Sequence, residues 1–268
     1  MSHTWDPQRY LAFADERGRP FLDLVARIGA TAPHAVVDLG CGPGNLTALL
    51  AQRWPDAVVT GVDSSPAMIE RARAEGSAAT FEVADLRDWL ADPERQQVDV
   101  LVSNATLQWV PGHLDLLPDL VEAVRPDGWL AFGVPGNFDQ PSHTLLEEVA
   151  AQPAYQPHTR AAPRPAAHDA ATYLRALAAL GCAVEAWETT YLHVLRGEDP
   201  VFAWISSTGA RPVLQALPDD LRPGFVAEYQ ERLRASYPSV EVGEGPGVLF
   251  PFRRTFVVAR PPRRPEVA

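Results

Sequence analysis

The 268-residue sequence contains no lysine, so all 23 basic residues are arginines, and only two residues are cysteine. Cys41 and Cys182 suggest neither a disulfide framework nor a metal site. No apolar run reaches the roughly 20 residues that are needed to cross a bilayer. The polar start over residues 1–6 lacks the basic and apolar pattern of a secretory leader. These absences lead us to expect a cytoplasmic protein without a bound metal or a membrane partner.

Basic residues are also few relative to acidic ones, at 23 against 34, so the formal net charge is −11 at pH 7. This charge argues against a general nucleic-acid binder, which would present a basic face. The chain is long enough to bury a sizeable core in one large or two small domains. Its apolar fraction of 46% is that of an ordinary globular protein. Nothing in the sequence indicates a protein partner.

A glycine-rich turn joins a predicted buried strand to a predicted helix over residues 36–44, with the sequence VVDLGCGPG. Glycines let the backbone turn tightly and approach a ligand closely, and the helix that follows offers free N–H groups to an anion. Asp63 ends a second apolar run, where an acid can hold the two hydroxyls of a ribose. The pattern predicts a site for a nucleoside-containing cofactor.

The spacing of the turn selects among nucleoside cofactors. A dinucleotide fingerprint reads G-x-G-x-x-G, whereas this turn reads G-x-G-x-G, with Leu46 and Thr47 where a third small residue would be needed. Asp38 would repel a pyrophosphate but suits a cationic ammonium group. S-adenosyl-L-methionine has that ammonium, a carboxylate for the helix N-terminus and a ribose for Asp63, so we expect this cofactor. The motif D-x-G-x-G-x-G resembles motif I of class I S-adenosylmethionine-dependent methyltransferases.

Strands alternate with helices along most of the chain. We predict strands at 35–40, 58–63, 79–84, 98–103, 128–134, 182–195 and 248–259, and helices at 44–53, 66–75, 113–124, 141–151 and 169–180. Such alternation implies a parallel sheet with helices on both faces. The expected fold class is α/β: a doubly wound, seven-stranded, mostly parallel, Rossmann-like sheet of the methyltransferase kind, with an antiparallel last strand and a helical cap.

Five segments make up the predicted organisation. They are an N-terminal helical segment (1–29), a cofactor-binding core (30–151), a connecting loop with a helix and the sixth strand (152–195), a helical cap insertion (196–247), and the final strand with a tail (248–268). Pro20 is expected to break or restart the first helix. The stretch 153–167, rich in proline and alanine, is either a mobile lid or a passive connection. We expect the cap, with helices at 201–217 and 221–237, to cover the ligand.

Ligands of open α/β sheets bind beyond the carboxyl ends of the parallel strands. The predicted cofactor-binding residues at those ends are Asp38, Gly40, Cys41, Gly42, Asp63, Ser64, Asp85, Leu86, Asn104 and Ala105. The Asp85 carboxylate or the Leu86 amide is placed to bond adenine. No proline follows Asn104, which argues against the amino-methyltransferases that act on nucleobases.

The predicted topology also brings polar and cationic residues from other segments to the carboxyl ends of the parallel strands. The predicted substrate-binding residues are Arg19, Gln108, Trp109, Asn137, Tyr191, His193, Arg211 and Arg253, with Arg254 as the alternative to Arg253. A guanidinium holds a carboxylate through two parallel hydrogen bonds. Several such groups around one pocket would suit a small polyanion, although Trp109 is equally well explained as a core residue.

At these segments the chain resembles the trans-aconitate methyltransferases. The specific stretches are WDPQRYLAFADERGRP, WETTYLH and TGARP, and the likeness runs almost end to end except at 153–167 and 261–268. The resemblance implies methylation of one carboxylate of trans-aconitate, with a monomethyl ester and S-adenosylhomocysteine as products. A carboxylate is already ionised at pH 7, so no catalytic acid or base is expected.

Three other readings of the sequence remain open. The first is a methyltransferase of another small acid on the same scaffold. The second is an NAD(P)-dependent oxidoreductase, which would need the dinucleotide spacing that the glycine turn lacks. The third is a cofactor-binding regulatory protein without turnover.

Overall fold

A computed structural model describes residues 14–262, with side chains from Gly18 onward. Within this range the chain forms eight strands and eleven α-helices, besides two short 3₁₀ helices. The strands are β1 (Ala35–Leu39), β2 (Val58–Asp63), β3 (Thr80–Val83), β4 (Val98–Asn104), β5 (Val124–Pro135), β6 (Ala183–Leu195), β7 (Ser239–Glu241) and β8 (Pro246–Arg260). The helices are α1 (Ala14–Ala26), α2 (Asn45–Arg53), α3 (Pro66–Ala74), α4 (Leu86–Ala91), α5 (Leu117–Glu122), α6 (Pro141–Ala150), α7 (Gln156–Thr159), α8 (Ala170–Ala179), α9 (Pro200–Ser206), α10 (Arg211–Ala216) and α11 (Arg222–Ser236).

The strands form one sheet in the order β3-β2-β1-β4-β5-β8-β6, with β7 paired to β8. Strands β1 to β5 pair with one another in parallel, whereas β7 pairs with β8 in the antiparallel direction. The chain proceeds from β1 towards β3 on one side and then restarts at β4 on the other. This reversal beside β1 is a topological switch point, where open α/β sheets bind ligands.

The central strands are buried because helices cover both faces of a parallel sheet. Val36, Val100, Leu101 and Val102 have no exposed surface. Because both faces of these strands are buried, their sequences are continuously apolar, and such runs predict strands. In register, Asp38 of β1 lies between Gly61 of β2 and Val102 of β4, so its carboxyl group is in the middle of the sheet.

The described residues divide into two compact units. The first contains the chain up to Val134, His168–Glu188 and the chain from Thr255, and the second contains Pro135–Ala167 and Thr189–Arg254. The second unit has an aromatic core of its own, in which Trp204 lies 5.5 Å from Phe252 and 5.9 Å from Phe250 between ring centroids. In the described chain, no helix is both long and apolar enough to cross a membrane.

The predicted fold class is confirmed, with eight strands where seven were expected. The additional strand β7 has three exposed residues and pairs only with β8, so it carries no apolar signal. The helix α4 was also missed. It begins where the side chain of Asp85 accepts a hydrogen bond of 2.8 Å from the Arg87 amide, a capping contact typical of a helix start.

One further expectation was wrong in detail. Pro20 lies inside α1 and does not break it. The apolar face of this helix is fully buried at Phe21 and Leu24, which offsets the hydrogen bond that proline removes. The connection 153–167 contains the short helix α7, and Thr159 at its end is buried and donates a hydrogen bond of 2.8 Å to the Ala150 carbonyl.

Candidate active site

The three glycines of the turn after β1 have different structural roles. Gly40, Gly42 and Gly44 all have positive φ, at 80°, 55° and 80°. A Cβ at Gly40 would lie 2.0 Å from Thr106 Oγ1, and one at Gly44 would lie 2.7 Å from the Ala72 Cβ. A Cβ at Gly42 would meet no atom within 4 Å. Packing therefore requires two of the glycines, whereas Gly42 leaves an open surface that a ligand can approach.

Asp63 at the end of β2 fixes this turn. Its Oδ2 accepts a hydrogen bond of 2.9 Å from the Gly42 amide, and its Oδ1 accepts one of 2.9 Å from the Ser65 amide. Burial raises the pKa of this carboxyl, and the two amide bonds act in the opposite direction. Each carboxylate oxygen can accept a second bond, so Asp63 keeps acceptor capacity for two ribose hydroxyls.

Asp38 is buried at the end of β1, with 2% of its surface exposed. Burial raises its pKa to about 7, although a hydrogen bond from Thr47 lowers it and the charge of Asp63 raises it further. The Thr47 hydroxyl donates that bond over 2.7 Å. A ligand ammonium would stabilise the ionised form of Asp38. Thr47 was not predicted as a site residue, and the only sequence signal was a polar residue in the first turn of α2.

Other predicted cofactor residues lie in the same unit. Cys41 packs in a buried cluster with Ile69 and Phe81, and burial raises the pKa of its thiol, so its side chain is a neutral packing group. Ser64 is exposed beside the turn. Asp85 is exposed and caps α4, and the side chain of Leu86 is buried. Neither position contradicts contact with adenine.

The corner after β4 contains Asn104, Ala105 and Gln108. Ala105 has a positive φ of 56°, and its amide donates a hydrogen bond of 2.7 Å to the Gly133 carbonyl of β5. Gln108 is 6% exposed, and its Nε2 donates a bond of 2.6 Å to the Ala105 carbonyl. Among the described residues, no group hydrogen-bonds the buried oxygens Asn104 Oδ1 and Gln108 Oε1.

Two sequence-distant contacts hold this corner in place. The Thr106 hydroxyl donates to the Gly40 carbonyl at 3.3 Å, so the corner packs on the glycine turn. His113 Nε2 lies 2.7 Å from the hydroxyl of Tyr173 on α8, and its Nδ1 lies 3.2 Å from the Val110 carbonyl. A carbonyl only accepts, so Nδ1 carries the proton and the tyrosine hydroxyl donates to Nε2. Burial lowers the pKa of His113, which matches this neutral form.

The predicted substrate residues are divided between the units. Arg19, Gln108 and Trp109 belong to the first unit, and Asn137, Tyr191, His193, Arg211 and Arg253 belong to the second. Arg19 is exposed on α1, and Trp109 is half-buried in a single turn of 3₁₀ helix.

Asn137 and Arg253 lie close together at the end of β5. The Gly136 amide donates to the Arg253 carbonyl at 2.9 Å, and Arg253 Nε donates to the Gly136 carbonyl at 2.6 Å. Arg253 Nη2 also bonds both oxygens of Asp139. Asn137 has no exposed surface, and neither polar atom of its amide has a hydrogen-bond partner among the described residues. A buried amide without partners is costly unless a ligand supplies them.

His193 and Tyr191 contribute to the aromatic core of the second unit. The His193 ring lies 4.9 Å from Trp204 and is 6% exposed, and it stacks on the half-buried Tyr191 at 6.4 Å. Arg254, the alternative to Arg253, is 5% exposed and places its guanidinium 4.7 Å from the Phe252 ring centre.

Arg211 begins α10, directly after a turn that contacts α6. A Cβ at Gly209 in this turn would lie 2.8 Å from Cε1 of His143, so a larger residue there would require the His143 ring to shift. Burial lowers the pKa of His143 to about 4, so this ring is neutral at physiological pH.

The polar groups of the first unit fit a cofactor with an adenosyl group and a sulfonium. An open glycine surface, a buried carboxylate with raised pKa and two buried acceptor oxygens suit a ligand with cationic groups. Across the described residues, no group of three or more His, Cys, Asp or Glu could hold a metal ion.

Comparison with known proteins decides the family. Residues 36–128 match a family described as "Methyltransferase domain". The chain is 50% identical over 266 residues to a protein of Streptomyces avermitilis named trans-aconitate 2-methyltransferase, with 96% of each chain covered. A protein of Rhodococcus jostii with the same name is 48% identical over 96% of this chain and 99% of its own. The chain belongs to the trans-aconitate 2-methyltransferase family. It is therefore a methyltransferase, as its sequence predicted.

Solved structures similar to this family member show the same fold. A methyltransferase of Haloferax volcanii, in a complex with an activator called Trm112, superposes with a TM-score of 0.59 at 18% identity, over 97% of this chain and 96% of that one. A methyltransferase of Bacillus halodurans gives a TM-score of 0.56 at 14% identity, over 91% and 99%. These likenesses concern the fold alone.

Proposed function

We propose that the protein transfers the methyl group of S-adenosylmethionine to a carboxylate of trans-aconitate or a similar small polycarboxylate. The observation that carries the proposal is the buried Asp38 carboxylate beside the open face of Gly42. This pair provides a counter-charge for an ammonium and a surface for close approach. The name shared by relatives 46–50% identical to this chain supports the choice of acid.

The roles of the side chains follow from their chemistry. The bound cofactor supplies an electrophilic methyl group. Asp38 and Asp63 hold its polar groups, and the amide of Gly42 stays fixed by Asp63. The acid is ionised at pH 7, so its oxygen needs no base to become a nucleophile. Catalysis then depends on holding the reacting atoms in line, for which effective molarities reach ~10⁵–10⁸ M.

The second unit supplies the groups proposed to bind the acid. Arg253 uses three donor bonds on Gly136 and Asp139, which orients its guanidinium and leaves the Nη1 donors for a carboxylate. Arg211, Asn137, Tyr191 and His193 are proposed to bind the other carboxylates. Arg19 and Trp109, which belong to the first unit, stay predictions from the sequence.

A panel of di- and tricarboxylic acids, assayed by transfer of a labelled methyl group, tests the proposal. Methylation of trans-aconitate in preference to saturated or dicarboxylic acids is the expected result. Binding of NAD(P) in place of S-adenosylhomocysteine, measured by calorimetry, would contradict it. Cofactor binding without methylation of any acid would instead indicate a regulatory protein.

The variant Arg211→Ala tests the proposed acid-binding side. We expect a large rise in KM for the acid and an unchanged affinity for S-adenosylhomocysteine. Arg232→Ala is the matched control, because Arg232 in the same unit bonds Glu148 and Glu228 at the surface. An unchanged KM in Arg211→Ala would remove Arg211 from the site.

A further inference from the structure

Gln108 was predicted from the sequence to bind the acid, but its geometry suits the cofactor. We propose that Gln108 Oε1 recognises the sulfonium end of S-adenosylmethionine and so makes the enzyme prefer this cofactor over its demethylated product. The inference rests on the proposed use of S-adenosylmethionine.

The orientation of the Gln108 amide is fixed by one neighbour. The Ala105 carbonyl lies 2.6 Å from one end of the amide, and a carbonyl oxygen can only accept a hydrogen bond. That end is therefore the NH₂ group, and Oε1 faces the other way. Because Gln108 is 6% exposed, the amide has little freedom to turn into solvent.

Oε1, the other end of the Gln108 amide, is a hydrogen-bond acceptor to which no described residue donates. Gln108 Oε1 and Asn104 Oδ1 are both buried, and neither has a hydrogen-bond partner among residues 18–262. An ionised polycarboxylate brings only further acceptors, so these two oxygens would repel it. A sulfonium carries a positive charge and polarised methyl C–H bonds, which buried oxygens attract. The demethylated product has a neutral sulfur and lacks both.

The corner that carries these oxygens lies against the glycine turn within the same unit. Thr106, between Asn104 and Gln108, donates to the Gly40 carbonyl at 3.3 Å. Its side chain fills the space beside Gly40 that a Cβ would need. The two acceptors are thus held by the residues that form the proposed cofactor site.

The experiment measures the affinities for S-adenosylmethionine and S-adenosylhomocysteine by titration calorimetry. In Gln108→Met, which keeps the chain length but removes Oε1, we expect the affinity ratio of the two ligands to fall about two- to fivefold. In Gln108→Glu, which adds negative charge in the same shape, we expect the ratio to rise. The KM for the acid at saturating cofactor should remain unchanged in Gln108→Met.

Thr106→Val is the control for a general loosening of the corner. It removes the bonds from Thr106 to the Gly40 and Asn104 carbonyls and leaves Gln108 in place. We expect both affinities to change together, so that their ratio stays constant. A constant ratio in both Gln108 variants, or a raised KM for the acid with a constant ratio, would overturn the inference. If the wild-type protein bound neither S-adenosylmethionine nor S-adenosylhomocysteine, the proposed function itself would be contradicted.

Discussion

The hydroxyl of Thr47 donates a hydrogen bond of 2.7 Å to Oδ2 of Asp38, which lies nine residues earlier at the end of β1. The bond offsets only part of the cost of burying a carboxylate, so the pKa of Asp38 is raised to about 7. Asp38 therefore changes its charge within the physiological pH range. Cofactor binding and folding should both respond to that change.

Cofactor affinity should decrease in acid. Below pH 7 Asp38 gains a proton and loses the charge that attracts an ammonium, so we expect binding about tenfold weaker at pH 6 than at pH 8. Titration calorimetry with S-adenosylhomocysteine across this range provides the measurement. Asp38→Asn should bind weakly with a flat profile. A flat profile in the wild-type protein would show that Asp38 does not hold the cationic group.

The cofactor-free protein should show the opposite trend in stability. The pKa of Asp38 in the folded state is above its ordinary value of 3.8, so its contribution to stability is lost as pH rises from about 4 through 7. The stability advantage of Asp38→Asn over wild type should grow by about 2–3 kcal/mol between pH 5 and pH 8. Urea unfolding at both pH values measures this. If the stability difference between Asp38→Asn and wild type were the same at pH 5 and pH 8, the pKa of Asp38 would not be raised in the folded protein.

The glycines of the turn should separate binding from folding. Gly42→Ala meets no neighbouring atom, so we expect a folded protein, destabilised by about 1–2 kcal/mol from its positive φ, that has lost most of its cofactor affinity. Gly44→Ala meets Ala72 and Phe81 within 3 Å and should lower the melting temperature far more. Thermal unfolding and calorimetry distinguish the two. Similar effects of both substitutions on stability would count against the separate roles.

The hydroxyl of Tyr173 should affect turnover without touching either ligand. Tyr173→Phe leaves His113 Nε2 and the His168 amide without their partner and loosens the corner after β4. We expect a fall in kcat of about fivefold with little change in affinity for S-adenosylhomocysteine, and a stability loss of about 1–3 kcal/mol.

A control is needed to distinguish this effect from general destabilisation. Trp54→Phe removes a hydrogen bond of 3.1 Å to the Ala30 carbonyl, in the same unit but away from the corner. It should lower stability and leave kcat unchanged. An equal reduction of kcat in both variants would contradict a positioning role for Tyr173.

Asn137 should show opposite effects on stability and on substrate binding. Replacing this buried, unpartnered amide by the similarly sized leucine removes its desolvation cost, so Asn137→Leu should be about 1–3 kcal/mol more stable. The KM for the acid should rise because the amide no longer binds it.

Ser142→Ala is the comparison for this prediction. The Ser142 hydroxyl is also buried without a partner among the described residues, and its removal should stabilise the protein without changing KM. Urea unfolding and steady-state kinetics measure both variants. An unchanged KM in Asn137→Leu would place the amide outside the acid site.

The parts of the site that were predictable depend on short-range patterns. Asp38, the glycines and Asp63 lie at the ends of strands that continuous apolar runs predict. Their places in the fold therefore follow from the local sequence. The contacts of Thr106 with Gly40 and of His113 with Tyr173 join residues more than 50 positions apart, and no periodicity reveals such pairs.

The strand β7 and the helix α4 were missed for a related reason. Both are short, and their formation depends on a partner strand or a capping side chain rather than on a repeated apolar pattern. The residues that we propose to bind the acid are harder still to predict, since single arginines on a lysine-free chain carry little information of their own.

The aromatic interior around Trp204 has an evolutionary consequence. It stabilises the second unit with side chains that include no residue of the glycine turn. If the second unit binds the acid as we propose, selection can change which acid is esterified by altering this unit while the cofactor-binding residues of the first unit are inherited unchanged. Paralogues that differ in acceptor should diverge first around Asn137 and Arg211 and last around Asp38.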